Sequence, residues 1–215
     1  MTAKGTDWRP TPLRQPPPGK LTYEEFLEWC DEDIWAEWVG GEVQVVPPAS
    51  RTHQDLGAFL LIIFRFWVRK YDLGVVLQPP FQMRLHPPVN RGREPDLIFV
   101  AREHLDRLRQ TYLDGPADLV VEITSPESLS RDRGDKFVEY EQAGIPEYWL
   151  LDRERQQAEF YQLGADGRYR AALSGSSGEY ESPVLRGLRL PVAWLWEDPL
   201  PDEETALRSL GLLTG

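Results

Sequence analysis

Apolar residues along this chain recur with two periods, and the switches between them mark the elements. Leu56, Phe59, Leu60, Ile63, Phe64 and Trp67 fall at helical spacing, so residues 50–70 predict a long helix with a wide apolar face for a sheet. A shorter helix is expected after Thr22, which stands three residues before Glu25 in a capping-box pattern and precedes Phe26, Leu27, Trp29 and Cys30. Strand-like runs at 34–39 and 42–46 meet at Gly40-Gly41, a two-residue hairpin signal, and Pro47-Pro48 ends the second. Short strands are expected at 75–78 and 81–85, and His86-Pro87-Pro88 breaks that pattern.

Residues 96–100 and 118–124 read as buried central strands, with a short helical piece at 102–109 between them. A helix at 129–143 stops at Gly144, and 147–151 forms the next strand. Runs at 157–163, 169–173 and 178–182 resemble an antiparallel meander at the periphery, punctuated by Gly164, Gly167 and Gly175. The fold class is α/β (α+β): one mixed central sheet flanked by helices. Residues 1–19 read as a proline-rich tail, 20–200 as one domain and 201–215 as a C-terminal tail.

Composition narrows the function. One cysteine and three histidines supply a Cys/His zinc site poorly and exclude an internal disulfide. The most apolar stretch, 56–67, is too short to span a bilayer and contains Arg65, and no secretory leader is legible, so the expected address is the cytoplasm with no membrane partner. The net charge of -11 argues against holding nucleic acid by bulk electrostatics. Neither a phosphate loop, a dinucleotide fingerprint, a nucleophile elbow nor a zinc-protease helix is present.

What remains is a pair of acids in apolar strands. Asp96 opens one central strand after Pro95, and Glu122 lies inside Leu119-Val120-Val121-Glu122-Ile123-Thr124. A carboxylate in a buried strand is costly unless paired or bound to a cation, and two on neighbouring strands suit a hard ion such as Mg²⁺ or Mn²⁺. Lys136, fourteen positions on, can reach back over the strand end to orient a water or offset phosphate charge, with Tyr140 one turn further on the same face. Plainer readings stand beside each: Asp96 as a turn cap, Glu122 paired with a core arginine, Lys136 paired with Asp132 on a solvated face, and His53 as an ordinary polar residue at a helix start. Glu42 is either a hairpin-edge charge or a further acidic ligand.

The segments Trp38-Val39-Gly40-Gly41-Glu42, His53, Glu94-Pro95-Asp96-Leu97, Asp118 to Pro126, Asp132 to Lys136, Tyr140, Gly144 to Leu150 and Asp152 together resemble the Uma-type restriction endonucleases, a branch of the PD-(D/E)xK nucleases. The resemblance spans roughly residues 21–163. It implies a restriction-endonuclease-like fold with a four-stranded mixed core sheet, divalent-metal dependence and phosphodiester cleavage of DNA. It carries Asp96 and Glu122 over as metal carboxylates, Lys136 as the lysine and Glu42 as an additional acidic position. Thr124 stands where the parent motif has lysine, which puts the burden on Lys136. Two other classes stay open: a nuclease-fold module that binds a protein or nucleic acid without cutting, and a metal-dependent phosphoesterase of small nucleotides. The meander and the segment from Trp194 to Trp196 are candidates for a homodimer or higher homo-oligomer surface.

Overall fold

The computed structural model describes residues 16–30, 34–46, 48–125 and 128–213. Most of the expected N-terminal tail (1–15) and Pro47 therefore lie outside the described residues. Thr22 caps α1 (Tyr23–Trp29) through the expected box, with Glu25 N donating to Thr22 Oγ1 and Thr22 N to Glu25 Oε2. The hairpin of β1 (Ala36–Val39) and β2 (Glu42–Val45) turns at Gly40 and Gly41, with φ of 60° and 102°, values that residues with a Cβ rarely adopt. Helix α2 (Arg51–Tyr71) starts at the Ser50 cap, and its six predicted apolar positions are all buried.

The main sheet has six strands rather than four. In spatial order they are β11 (Tyr169–Gly175), β10 (Gln157–Leu163), β9 (Glu147–Asp152), β8 (Leu119–Thr124), β6 (Leu97–Ala101) and β3 (Gly74–Leu77). Strands β8 and β9 run parallel, joined through helix α3 (Leu129–Arg131), a π-helical turn (Asp132–Lys136) and α4 (Phe137–Ala143); the other pairings are antiparallel. Two of the expected meander strands are thus continuous with the central sheet, because β10 pairs with β9 along its length. The third, β12 (Glu179–Ser182), leaves the sheet and pairs with β13 (Leu188–Pro191).

A second sheet, not expected as separate, has the order β2-β1-β5-β4-β7, with β4 (Gln82–Leu85), β5 (Arg91–Arg93) and β7 (Tyr112–Asp114). Glu94-Pro95-Asp96 carries the chain from β5 in this sheet to β6 in the other. The candidate site residues Asp96, Glu122 and Lys136 lie beside that crossing.

One face of the main sheet packs on α2 through Leu97, Phe99, Leu119, Val121, Trp149 and Leu151. The opposite face holds Ile98, Val100, Val120, Tyr148 and Leu150 with Tyr140 of α4. The C-terminal segment is not a tail: α5 (Glu203–Ser209) buries Ala206 and Leu207 in the α2 core. Trp194 and Trp196 also pack against that core, so these aromatics give no argument for a second copy. Among the described residues no helix is long and apolar enough to cross a membrane.

Candidate active site

Alternation along two strands brings the first pair of acids together. The register Leu97↔Val121 sets Asp96, one residue before β6, opposite Glu122, and both share parity with the Ile98 and Val120 face. Ile123 N donates to Asp96 Oδ2 at 2.7 Å, and His53 Nε2 meets Asp96 Oδ1 at 2.8 Å. Because an ionised carboxylate only accepts, His53 carries its proton on Nε2 in this pair. Burial works against the imidazolium, but the bond to Asp96 and its charge prevail and raise the His53 pKa.

Glu122 is 4% exposed, and its Oε1 accepts from Lys136 Nζ at 2.9 Å and from Tyr140 OH at 2.6 Å. The lysine arrives on the π-helical turn, which points both Asp132 and Lys136 inward. Lys136 Nζ also lies 3.1 Å from Glu37 Oε1 and 3.5 Å from Asp132 Oδ1. The pairing with Asp132 was the plainer expectation for this lysine, yet here it is buried and shared with two more acids rather than solvated. Desolvation disfavours the buried ammonium, but Glu122, Glu37 and Asp132 outweigh it and hold its pKa above the ordinary value. Burial drives Glu122 the other way, raising its carboxyl. Thr124 also lines the cavity, its hydroxyl 3.5 Å from Leu151 O, and the ammonium on the wall comes from the helix through Lys136.

Glu37 belongs to this group and Glu42 does not. Glu37 on β1 is 1% exposed; its Oε2 accepts from Arg93 at 2.8 Å, and its Oε1 from Glu94 N at 3.3 Å. Burial opposes its charge, yet Lys136 and Arg93 bring its pKa down to about 2. Glu42 sits two residues nearer the hairpin tip, paired with Val39, and is exposed; it is absent from the cavity wall. The signal for Glu37 was the one that marks Glu122, an acid inside an apolar strand. Glu94 is the other addition, with its pKa pushed up to about 7 by burial and by the Glu37 charge. No local spacing could pair His53 with an acid 43 residues away.

These groups line a cavity of about 580 Å³ between the two sheets and the start of α2. Its wall includes Glu37, His53, Glu94, Asp96, Glu122, Asp132 and Lys136. Among the described residues none donates a hydrogen bond to two buried oxygens on that wall, Glu94 Oε1 and Asp132 Oδ1, the latter meeting only the Lys136 ammonium at 3.5 Å and Arg131 at 3.9 Å, and none donates to Glu122 Oε2. Unspent buried oxygens carry a desolvation cost that a hard cation relieves, and an all-oxygen set suits Mg²⁺ or Mn²⁺. The residues fit such an ion in chemistry, although among the described residues no group of three His, Cys, Asp or Glu is arranged to hold one.

Residues 23–193 match the model of the Uma2 family, described as "Putative restriction endonuclease". Among solved structures, a crystal structure titled as a "putative nuclease belonging to DUF820" from Anabaena variabilis aligns with a TM-score of 0.68 at 15% identity, covering 82% of this chain and 97% of that one. At that identity the likeness speaks for the fold. No curated protein matches the chain. The family model spans most of the chain and every cavity residue named above, and the chain belongs to the Uma2 family.

Proposed function

We propose that this chain is a divalent-metal-dependent endonuclease that hydrolyses phosphodiester bonds of DNA. The observation that carries the reading is the pairing of Asp96 and Glu122 on one face of adjacent strands, at a cavity whose wall holds carboxylate oxygens, Glu94 Oε1 and Glu122 Oε2 among them, that accept no hydrogen bond from the described residues. Membership of a family described as "Putative restriction endonuclease" supports the same reaction class.

Asp96 and Glu122 would hold Mg²⁺ or Mn²⁺, and a bound ion supplies Lewis acidity at a phosphoryl oxygen and a water acidic enough to attack near neutral pH. Each Asp96 oxygen spends one lone pair, on His53 or Ile123 N, and keeps the other. Lys136 and Tyr140 both act on Glu122 Oε1, which leaves Oε2 toward the cavity. Both are positioning residues in this arrangement, and Lys136 spends its charge on three carboxylates rather than on phosphate. Glu37, clamped by Arg93, fixes the lysine from the second sheet.

Purified protein should nick supercoiled plasmid with Mg²⁺ or Mn²⁺ and stop on chelation. Asp96→Ala should abolish the nicking while leaving the fold intact by circular dichroism. Undiminished nicking by Asp96→Ala would remove the mechanism.

A second reading, a nuclease-fold module that binds without cutting, draws on the lack of an assembled three-residue metal cluster among the described residues. Titration calorimetry with Mn²⁺ separates the two, since no measurable binding favours the module.

A further inference from the structure

The cavity is mostly acidic. Six carboxylates line it, namely Glu37, Glu94, Asp96, Glu122, Asp132 and Glu154. A phosphodiester entering such a wall needs a cation not already spent on the protein. Four basic side chains are present, and three are committed. Lys136 contacts Glu37, Glu122 and Asp132, His53 is bonded to Asp96, and Arg153 donates to the carbonyls of Leu195 and Glu197.

Arg131 differs from these. It ends α3, one residue before the π-helical turn that carries Asp132 and Lys136. Its Nε is buried without a hydrogen bond, and its guanidinium makes none to the described residues. The one ion-pair neighbour, Asp132 Oδ1, lies 3.9 Å away, beyond hydrogen-bond reach. Its side chain is 30% exposed, and the residue is on the cavity wall. A guanidinium with unspent N–H donors is the side chain best matched to two phosphate oxygens at once.

We propose that Arg131 is the phosphate-binding residue of this cavity, taking a backbone phosphate of the DNA strand beside the bond to be cut. The proposal rests on the nuclease reading above and assigns the charge-neutralising role to Arg131 instead of Lys136.

The test is binding of a labelled DNA duplex to the full chain in Ca²⁺, which replaces Mg²⁺ so that binding is read without cleavage, across a salt series. Arg131→Ala should weaken binding by about 10-fold and lower the slope of log K against log salt by about 0.9, the signature of one lost phosphate contact. Arg131→Lys should restore the slope but only part of the affinity, because a point charge replaces a fork. A loss of affinity caused by misfolding would not leave Arg131→Lys with a wild-type slope. If Arg131→Ala keeps both wild-type affinity and wild-type slope, the proposal is overturned while the nuclease reading stands. Duplex binding with the lowered slope, but no cleavage in Mg²⁺ or Mn²⁺, supports the Arg131 contact and removes the nuclease reading. A wild-type chain that binds no duplex overturns both.

Discussion

Glu122 and Glu147 are both glutamates inside apolar strands that lie side by side, both nearly free of solvent, and burial raises the carboxyl pKa of each. They face opposite sides of the sheet and solve the cost of burial differently. Glu147 is saturated by neutral donors: Trp149 Nε1 and Tyr180 OH on Oε1, Ser182 Oγ and Val184 N on Oε2. It ties the β12 turn to the central sheet and has nothing left to offer a ligand. Glu122 spends one oxygen on a lysine and a tyrosine and keeps the other at the edge of a cavity. An acid in a buried strand is therefore no marker of chemistry by itself; it is open to a ligand only where an oxygen is left unspent beside open space.

The sharpest way to break this contrast is activity. Glu122→Gln should lower metal-dependent DNA cleavage by about 1000-fold or more, whereas Glu147→Gln should cleave at close to the wild-type rate when assayed below its melting temperature. Equal losses in a plasmid-nicking assay would show that the two acids are not functionally distinct.

Stability is the next discriminator. Lys136→Met strands Glu37, Glu122 and Asp132 without their shared cation and should cost about 3–5 kcal/mol in urea unfolding at neutral pH. The pH dependence has a definite sign. Glu37 has a folded pKa of about 2 against an ordinary 4.5, so its contribution is complete above 4.5 and is lost as pH falls from there toward 2. The Lys136→Met penalty should shrink over that acid window, and a penalty independent of pH would argue that the loss is one of packing.

The smallest effect concerns Glu147. Its folded pKa lies above the ordinary 4.5, so the folded state binds the extra proton and stability falls as pH rises from 4.5 through the raised value, then levels. Glu147→Gln should cost about 1–3 kcal/mol through donors left without an acceptor, more at pH 5 than at pH 8. Urea midpoints of the two proteins at both pH values measure it.

Several elements were legible beforehand for local reasons. The face of α2, the capping box at Thr22, the Gly40-Gly41 hairpin and the strands around Asp96 and Glu122 all follow from residues a few positions apart. Asp96, Glu122, Lys136 and Tyr140 were also singled out, and hydrogen bonds join the last three. Glu42, marked by its place after the Gly40-Gly41 turn, lies exposed at the hairpin tip, whereas Glu37, buried in β1, is the acid that meets Lys136. The two-sheet division left no trace in periodicity, since β1 pairs with β5 and β4 with β7 across tens of residues.

Sequence alone determined the longer strands and helices, though not β5, β7, β13 or α5, and where acids intrude on apolar runs, because both are written in short-range alternation and the cost of burying charge. Tertiary structure decided which of those acids are satisfied. The partners of Asp96 and Glu37 come from 27 residues away or more, and those of Glu147 from up to 37, so only the folded chain shows which oxygens are taken and which remain to meet a ligand.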